Sequence, residues 1–253
     1  MDAPELSQDA FLGGALTIQQ PKRGYRAGVD PVFLAAAVPA RPGQSVLELG
    51  CGVGTAILCL GRRVSGLKLA GVELQENYAG LARRNADANQ LNLEVCCADL
   101  AALPDWVRGR SFDHVIANPP YFAHGSGTRS AEPARDAALR EQTPLPIWID
   151  AATRRLAPGG ALTVIQRADR LPHLISAMDE RLGDITATPL APRPGRPATR
   201  VLVTARKGAK SPFELRAPQI VHKGAGHTHD GESYTPEVMA VLREGAAWPW
   251  LNC

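Results

Sequence analysis

The chain lacks the marks of a membrane or secreted protein. Every apolar stretch is broken by a charge or a glycine well short of the roughly 20 residues that a spanning helix needs. The opening Met1-Asp2-Ala3-Pro4-Glu5 has neither a basic n-region nor an apolar h-region, so no secretory leader is expected. Cysteine is scarce. The five residues (Cys51, Cys59, Cys96, Cys97, Cys253) are odd in number and show no zinc-ligand spacing, which predicts a reduced, cytoplasmic chain without a disulfide framework. There is no internal repeat, and the 24 glycines and 21 prolines form neither a collagen-like pattern nor a low-complexity tract. A large charge excess is missing too. The net charge of +3 permits a polyanionic partner without demanding one.

What is present suits a packed α/β protein. The 253 residues are 45% hydrophobic and 21% charged, enough for a core and for one large domain with small appendages. Residues 11–18 read as a short strand or hairpin, and Gln20 to Arg26 as a basic turn. Asp30 suits a helix N-cap, with Pro31 at the first helical position and Pro39 to Pro42 ending the helix. Strands and helices then alternate. Strands are expected at 45–49, 69–73, 93–97, 113–118 and 161–166, and helices at 54–64, 77–89, 100–107, 144–156 and 171–181. Such alternation implies right-handed βαβ units in a mostly parallel sheet covered on both faces. Strands at 185–189 and 200–205, joined by a short Pro/Gly/Arg connection, favour an antiparallel pair at one sheet edge. The expected architecture is therefore a seven-stranded, mostly parallel, Rossmann-like sheet with one antiparallel edge hairpin. Two stretches stand apart: a long charged insertion at 122–143, and a tail from 207 with a strand-like 219–222 and a helix near 235–243. A loop as long as that insertion usually carries function.

The strongest local signal is Val46-Leu47-Glu48-Leu49-Gly50-Cys51-Gly52-Val53-Gly54-Thr55. A buried strand runs into a glycine-rich turn and then a helix, which lets the backbone bend tightly and approach a ligand. The dinucleotide fingerprint needs a third glycine at position 55, where Thr55 stands, and no Lys-Ser/Thr follows for a P-loop. Glu48 places an acid just before the turn, which suits a cationic ligand such as S-adenosylmethionine. The next strand ends at Glu73-Leu74, where a carboxylate can accept from two ribose hydroxyls. The one after leads to Asp99-Leu100, placed to meet an adenine amino group and ring. Taken singly, either acid reads first as an N-cap or a solvated loop residue. Their register after successive strands favours the ligand reading, because open α/β sheets bind ligands at strand C-termini.

The fourth strand leads into Asn118-Pro119-Pro120-Tyr121. A proline-stiffened turn is one reading. The prolines also remove two N–H donors, leaving carbonyls and the Asn118 side-chain oxygen to accept from an amino group, with Tyr121 as a flat face for a base. These are the candidate catalytic residues. His222, His227 and His229 lie close together but have no acidic or thiol partner, so they read as a polar loop and no metal is expected.

Together, the glycine motif, Glu73, Asp99 and Asn118 to Tyr121 resemble class I S-adenosylmethionine-dependent methyltransferases of the N-methylating branch. The segment Gln20-Pro21-Lys22-Arg23-Gly24-Tyr25-Arg26-Ala27-Gly28-Val29-Asp30 and the tail Gly231-Glu232-Ser233-Tyr234-Thr235-Pro236-Glu237 are similar to bacterial tRNA adenine-N6-methyltransferases that modify an adenosine beside the anticodon of a valine tRNA. The resemblance implies a cofactor site built from Glu48, Gly50, Cys51, Gly52, Gly54, Thr55, Glu73, Leu74, Asp99, Leu100 and Asn118, with Arg26 and Asp30 near the methionine end. It implies in-line displacement at the sulfonium methyl by an amino nitrogen held by Asn118 and the Pro119 carbonyl, with gains from positioning and electrostatics rather than from a strong base. RNA contacts are expected from Lys22, Arg23, Arg129, Arg135 and Arg140, and from a third group at Arg193, Arg196 and Arg200. Three parts follow: an extension over 1–44 capping the cofactor site, a core over 45–206 and a tail over 207–253. The same core also serves methylation of guanine N2 in rRNA or of a protein glutamine amide. A non-catalytic cofactor-binding RNA module is the alternative from another class, opposed by the intact Asn118 to Tyr121.

Overall fold

The computed structural model describes residues 5–24, 26–120, 143–224 and 233–252. An antiparallel hairpin opens the chain, β1 (Leu6–Phe11) and β2 (Leu16–Pro21). The turn falls inside the 11–18 stretch read as a strand or hairpin, with Leu12 and Gly13 at φ of 51° and 64°. Helix α1 (Asp30–Ala36) follows. The αβ series then comprises β3 (Ser45–Leu49), α2 (Thr55–Arg63), β4 (Lys68–Glu73), α3 (Glu76–Ala88), β5 (Leu93–Cys97), α4 (Asp105–Arg108) and β6 (Phe112–Ala117). After it come α5 (Leu145–Arg155), β7 (Leu156–Arg167), α6 (Leu171–Ser176), β8 (Leu182–Ala191) and β9 (Arg200–Lys207). Short strands β10 (Glu214–Leu215) and β11 (Gln219–Ile220) and helix α7 (Pro236–Met239) complete the described chain.

The Rossmann-like fold holds, with more strands than the seven expected. The main sheet has nine, in the order β10-β8-β9-β7-β6-β3-β4-β5, with β11 also on β8. Strands β7, β6, β3, β4 and β5 are parallel, and β9 runs antiparallel between β7 and β8. The expected antiparallel pair is therefore present, but β8 is not the outer edge, because β10 and β11 add to it in parallel. The strand-like 219–222 of the tail is present as β11, whereas the two residues of β10, in polar and proline-interrupted sequence, gave no periodicity to read.

Two apolar clusters cover the two faces. One is built from α1, α2 and α3 with Leu16 and Ile18 of the hairpin and Val238, Val241 and Trp248 of the tail. The other is built from α4, α5 and α6 against Leu47, Val72, Val115 and Val164. The hairpin and tail are thus packed into the same core as the central helices. Trp248 donates from Nε1 to the Phe33 carbonyl at 3.0 Å and from its amide to the Ala36 carbonyl at 3.0 Å. Among the described residues no helix is long and apolar enough to cross a membrane.

Two asparagines on α3 dock the hairpin. Asn85 accepts from the Gln19 amide at 2.8 Å and donates to the Gln19 carbonyl at 3.0 Å. One turn later, Asn89 accepts from the Thr17 amide at 3.0 Å and donates to the Thr17 carbonyl at 2.8 Å. The i, i+4 spacing of a helix here meets the i, i+2 spacing of one strand edge, so side-chain amides replace a missing strand partner.

Candidate active site

Strand order fixes where a ligand can sit. From β3 the chain moves outward through β4 and β5, then returns to place β6 on the other side of β3. Such a switch point opens a crevice at the strand C-termini. Register brings the motifs level: Leu49 pairs with both Val72 and Ala117, Glu73 with Cys97, and Ala117 with Val164. Gly50 and Asn118 therefore leave adjacent strands side by side.

The glycines of the turn share one reason to be glycine, and two of them have a second. All have positive φ, of 63° at Gly50, 55° at Gly52 and 85° at Gly54. A Cβ on Gly50 would lie 2.4 Å from the Trp148 ring of α5. One on Gly54 would press on Leu58 and on Ala82 of α3. Only Gly52 faces open space, with nothing within 4 Å of an added Cβ. At Gly52 the positive φ alone calls for glycine and the backbone is left open, while Gly50 and Gly54 also serve packing. Cys51 is buried, with its Sγ over Gly71 where any side chain would collide. Thr55 is buried at the start of α2, and its hydroxyl has no hydrogen-bond partner.

Glu48 and Glu73 are buried carboxylates with different tasks. Glu48 Oε2 accepts from the Ile57 amide at 3.0 Å and so holds the first turn of α2. Burial pushes its pKa well above the usual carboxylate range, the Ile57 bond opposes this, and the nearby charge of Glu73 adds to it. Glu73 accepts from the Gly52 amide at 2.9 Å through Oε2 and from the Gln75 amide at 2.9 Å through Oε1. Burial raises its pKa as well, opposed by those backbone bonds. It ties the glycine turn to the end of β4, and each oxygen keeps a second lone pair. Next to it Leu74 is 44% exposed, an apolar side chain left at the mouth of the crevice. Asp99 is exposed, and its Oδ1 accepts from the Ala101 amide at 2.9 Å as the cap of a 3-10 turn containing half-buried Leu100. That is the N-cap role weighed from sequence, and Oδ2 remains open at the level of the crevice.

At the end of β6, Asn118 Oδ1 is shielded from solvent and has no hydrogen-bond partner. An unmet buried acceptor costs about 1–3 kcal/mol, which a donor arriving in the crevice would remove. Pro119 is buried, and its carbonyl accepts from Gln166 Nε2 at 3.2 Å; the same nitrogen lies 3.3 Å from the Pro120 carbonyl. Gln166 was missed in the sequence, where it reads only as the last residue of a strand. Tyr121 and the arginines 129, 135 and 140 lie outside the described residues, as do Tyr25, His227 and His229.

The sequence profile of the methyltransferase small domain matches residues 28–188. The chain belongs to that family. This methyltransferase is 29% identical over 247 residues to the tRNA1(Val) (adenine(37)-N6)-methyltransferase of Porphyromonas gingivalis, an alignment covering 92% of this chain and 93% of the relative. It is 31% identical over 197 residues to the protein of that name from Aeromonas hydrophila, covering 76% and 80%. Its fold is similar to that of a predicted O-methyltransferase from Agrobacterium tumefaciens (TM-score 0.69, 28% identity, 87% of this chain and 98% of that one). It is also similar to the 16S rRNA N2 G1207 methyltransferase of T. thermophilus in complex with AdoMet and guanosine (TM-score 0.54, 21% identity, 80% and 50%). S-Adenosylmethionine is the cofactor of this methyltransferase.

The residues at the crevice fit that cofactor. Gly52 offers open backbone, Glu73 spare lone pairs, Leu74 an exposed apolar face and Asp99 an open carboxylate oxygen. Glu48 is turned to α2 through Oε2, so that oxygen holds the helix rather than a ligand. Arg26 and Asp30 are engaged elsewhere. Arg26 forms a forked pair with Asp9 at 2.9 Å and donates to Ser7 Oγ at 2.7 Å, a network completed by Gln20, which is 1% exposed. Asp30 pairs with Arg200 Nε at 2.9 Å and is the first residue of α1, whose cap is Val29; the expected side-chain N-cap is not formed. Of the basic groups, Arg23 is exposed and Lys22 pairs loosely with Glu5 at 3.4 Å. Arg193 is buried against the carbonyls of Lys223 and Gly224. His222 stacks on Tyr234 at 4.6 Å and meets Ser233 Oγ through Nδ1 at 2.9 Å. No group of three or more metal-binding side chains occurs among the described residues.

Proposed function

We propose that this methyltransferase modifies the N6 nitrogen of an adenosine in tRNA, in the cytoplasm. The observation that carries the reading is Asn118 Oδ1, a buried acceptor without a partner at the strand switch point, one residue beyond the pairing of Ala117 with Leu49. The names of the relatives, which align with most of the chain, agree with it. An amino group brings two N–H donors to an acceptor-only wall of an amide oxygen and a proline carbonyl. A hydroxyl brings one, so the wall suits nitrogen better than the oxygen acceptor in the name of the Agrobacterium protein.

S-Adenosylmethionine supplies the methyl group. Glu73 would hold its ribose hydroxyls, Leu74 and Leu100 its adenine faces and Asp99 its amino group, with Gly50, Cys51, Gly52, Gly54 and Thr55 forming the turn beneath it. Asn118 Oδ1 and the spare lone pair of the Pro119 carbonyl orient the acceptor nitrogen and hold it away from conjugation with the ring. Its proton leaves to water once positive charge has formed, so no strong base is required. Pro119 and Pro120 stiffen the loop, and Tyr121 stacks on a base splayed out of the RNA. Lys22 and Arg23, with Arg129, Arg135 and Arg140 after Tyr121, contact phosphates. In this reading 1–44 and 207–253 flank a catalytic core over 45–206.

The test offers labelled cofactor and the purified protein three acceptors: tRNA lacking the modification, rRNA and cellular protein. Label is expected in tRNA. Label confined to rRNA or to protein rejects the proposal.

A further inference from the structure

We infer that Gln166 is a positioning residue that sets the geometry of the acceptor loop, standing in for the sheet hydrogen bonds that Pro119 and Pro120 cannot make. The inference rests on the reading of Asn118 and Pro119 as the acceptor wall.

The β6–β7 ladder pairs Ala117 with Val164 and then stops. Continued for two residues, it would set Pro119 beside Gln166. Proline has no amide hydrogen, so the backbone cannot carry the ladder further. The Gln166 side chain takes over. Its Oε1 accepts from the Arg167 amide at 2.9 Å, and its Nε2 lies 3.2 Å from the Pro119 carbonyl and 3.3 Å from the Pro120 carbonyl. The residue has no exposed surface. The orientation of the amide follows from its neighbours. A flipped group would turn its oxygen on two carbonyls and its NH₂ on an N–H, repelling both. The amide hydrogens thus bind one or both carbonyls that flank the loop, and they fix the direction in which the Pro119 carbonyl offers its remaining lone pair.

One consequence concerns the substrate. The Pro119 carbonyl already serves Gln166, whereas Asn118 Oδ1 serves nothing. The amino group is therefore held chiefly by Asn118, and Gln166 keeps the second acceptor aligned. Misplacement of such a wall by an ångström costs roughly 10²-fold in rate.

Gln166→Leu and Gln166→Glu variants of the full chain test this. Leucine keeps the bulk and removes the donors. Its kcat on tRNA should fall roughly 10²-fold, with cofactor Kd by calorimetry unchanged and faster hydrogen exchange at the Arg167 amide. Ionised glutamate repels both carbonyls, whereas its protonated form donates to one. The kcat of Gln166→Glu should therefore recover, relative to wild type, as the pH is lowered. Full kcat in Gln166→Leu overturns the inference and leaves the acceptor assignment standing. A fall in kcat matched by an equal loss of cofactor affinity overturns it as general damage to the site. If the wild-type protein methylates no tRNA, the acceptor reading fails by itself. The clamp is still decided by exchange, since unchanged protection at Arg167 in Gln166→Leu refutes it.

Discussion

Asn118 Oδ1 and His114 Nδ1 are both buried atoms without a hydrogen-bond partner, yet they belong to different accounts. Asn118 stands at the crevice, where a ligand can satisfy it. Replacing it with alanine should cut kcat on tRNA by more than 10²-fold, the scale of losing an oriented hydrogen bond in a transition state, while cofactor Kd stays near that of wild type. Calorimetry and steady-state kinetics on one preparation check both halves, and normal turnover in Asn118→Ala contradicts the acceptor assignment. His114 is part of β6, paired with Val46 of β3 away from the crevice, and its Nε2 lies 3.0 Å from Gln44 Oε1. Burial lowers its pKa to about 4; Asp113 opposes this, and Arg206 and Arg63 add to it. An unfolded histidine takes up its proton near pH 6.5. The unfolded chain therefore binds more protons between about pH 6.5 and about 4, and stability falls as the pH drops through that window. The loss attributable to His114 is roughly 3 kcal/mol. Glu48 and Glu73, whose pKa values are raised, act in the opposite sense, so the comparison is with His114→Gln. Urea unfolding should show a flatter dependence in that variant, and parallel curves would refute the assignment.

At the scale of elements, the hairpin and the glycine turn are joined by one side chain. Asn85 has no exposed surface, and besides its two bonds to Gln19 it donates to the Val53 carbonyl at 2.9 Å. Val53 sits between Gly52 and Gly54. Asn85→Ala strands a backbone amide and two carbonyls at the interface of β2, α3 and the turn. The expected loss is about 3 kcal/mol in urea unfolding, given about 1–3 for each unmet buried group, together with weaker cofactor binding. A stable variant with unchanged affinity would show that the three elements hold without it. Sequence periodicity revealed α3 and the strands flanking it because their apolar residues repeat locally. The docking of β2 was hidden, since Asn85 and Asn89 look like ordinary polar positions on a helix until the strand edge is beside them. The full extent of the hairpin was hidden for a related reason: its turn uses Leu12 at φ 51°, a conformation that no sequence rule assigns to leucine.

At the scale of the whole molecule, what could be read in advance was whatever the chain encodes within one strand-turn unit. The glycine turn, Glu73, Asp99 and Asn118 each end a strand, and alternation of elements sufficed to bring them to one edge. Roles created by distant residues could not be read. Gln166 acts on a proline 47 positions away. Gly50 is glycine because Trp148 fills the space beside it. The tail strand β10 forms where β8 offers it an edge. The charge balance also makes sense only in three dimensions. Arg193 and Arg200 of the third basic group are spent on contacts within the fold and only Arg196 of the three is exposed, so the proposed RNA contacts are the segment before α1 and the stretch after Tyr121.

The most direct test of the account is mass spectrometry of nucleosides from purified, unmodified tRNA treated with this protein and S-adenosylmethionine. The account predicts that N6-methyladenosine appears, and that it is absent when Asn118→Ala replaces the wild-type protein. Methyl groups on guanosine or on ribose oxygens instead, or the same N6-methyladenosine from the variant, would contradict it.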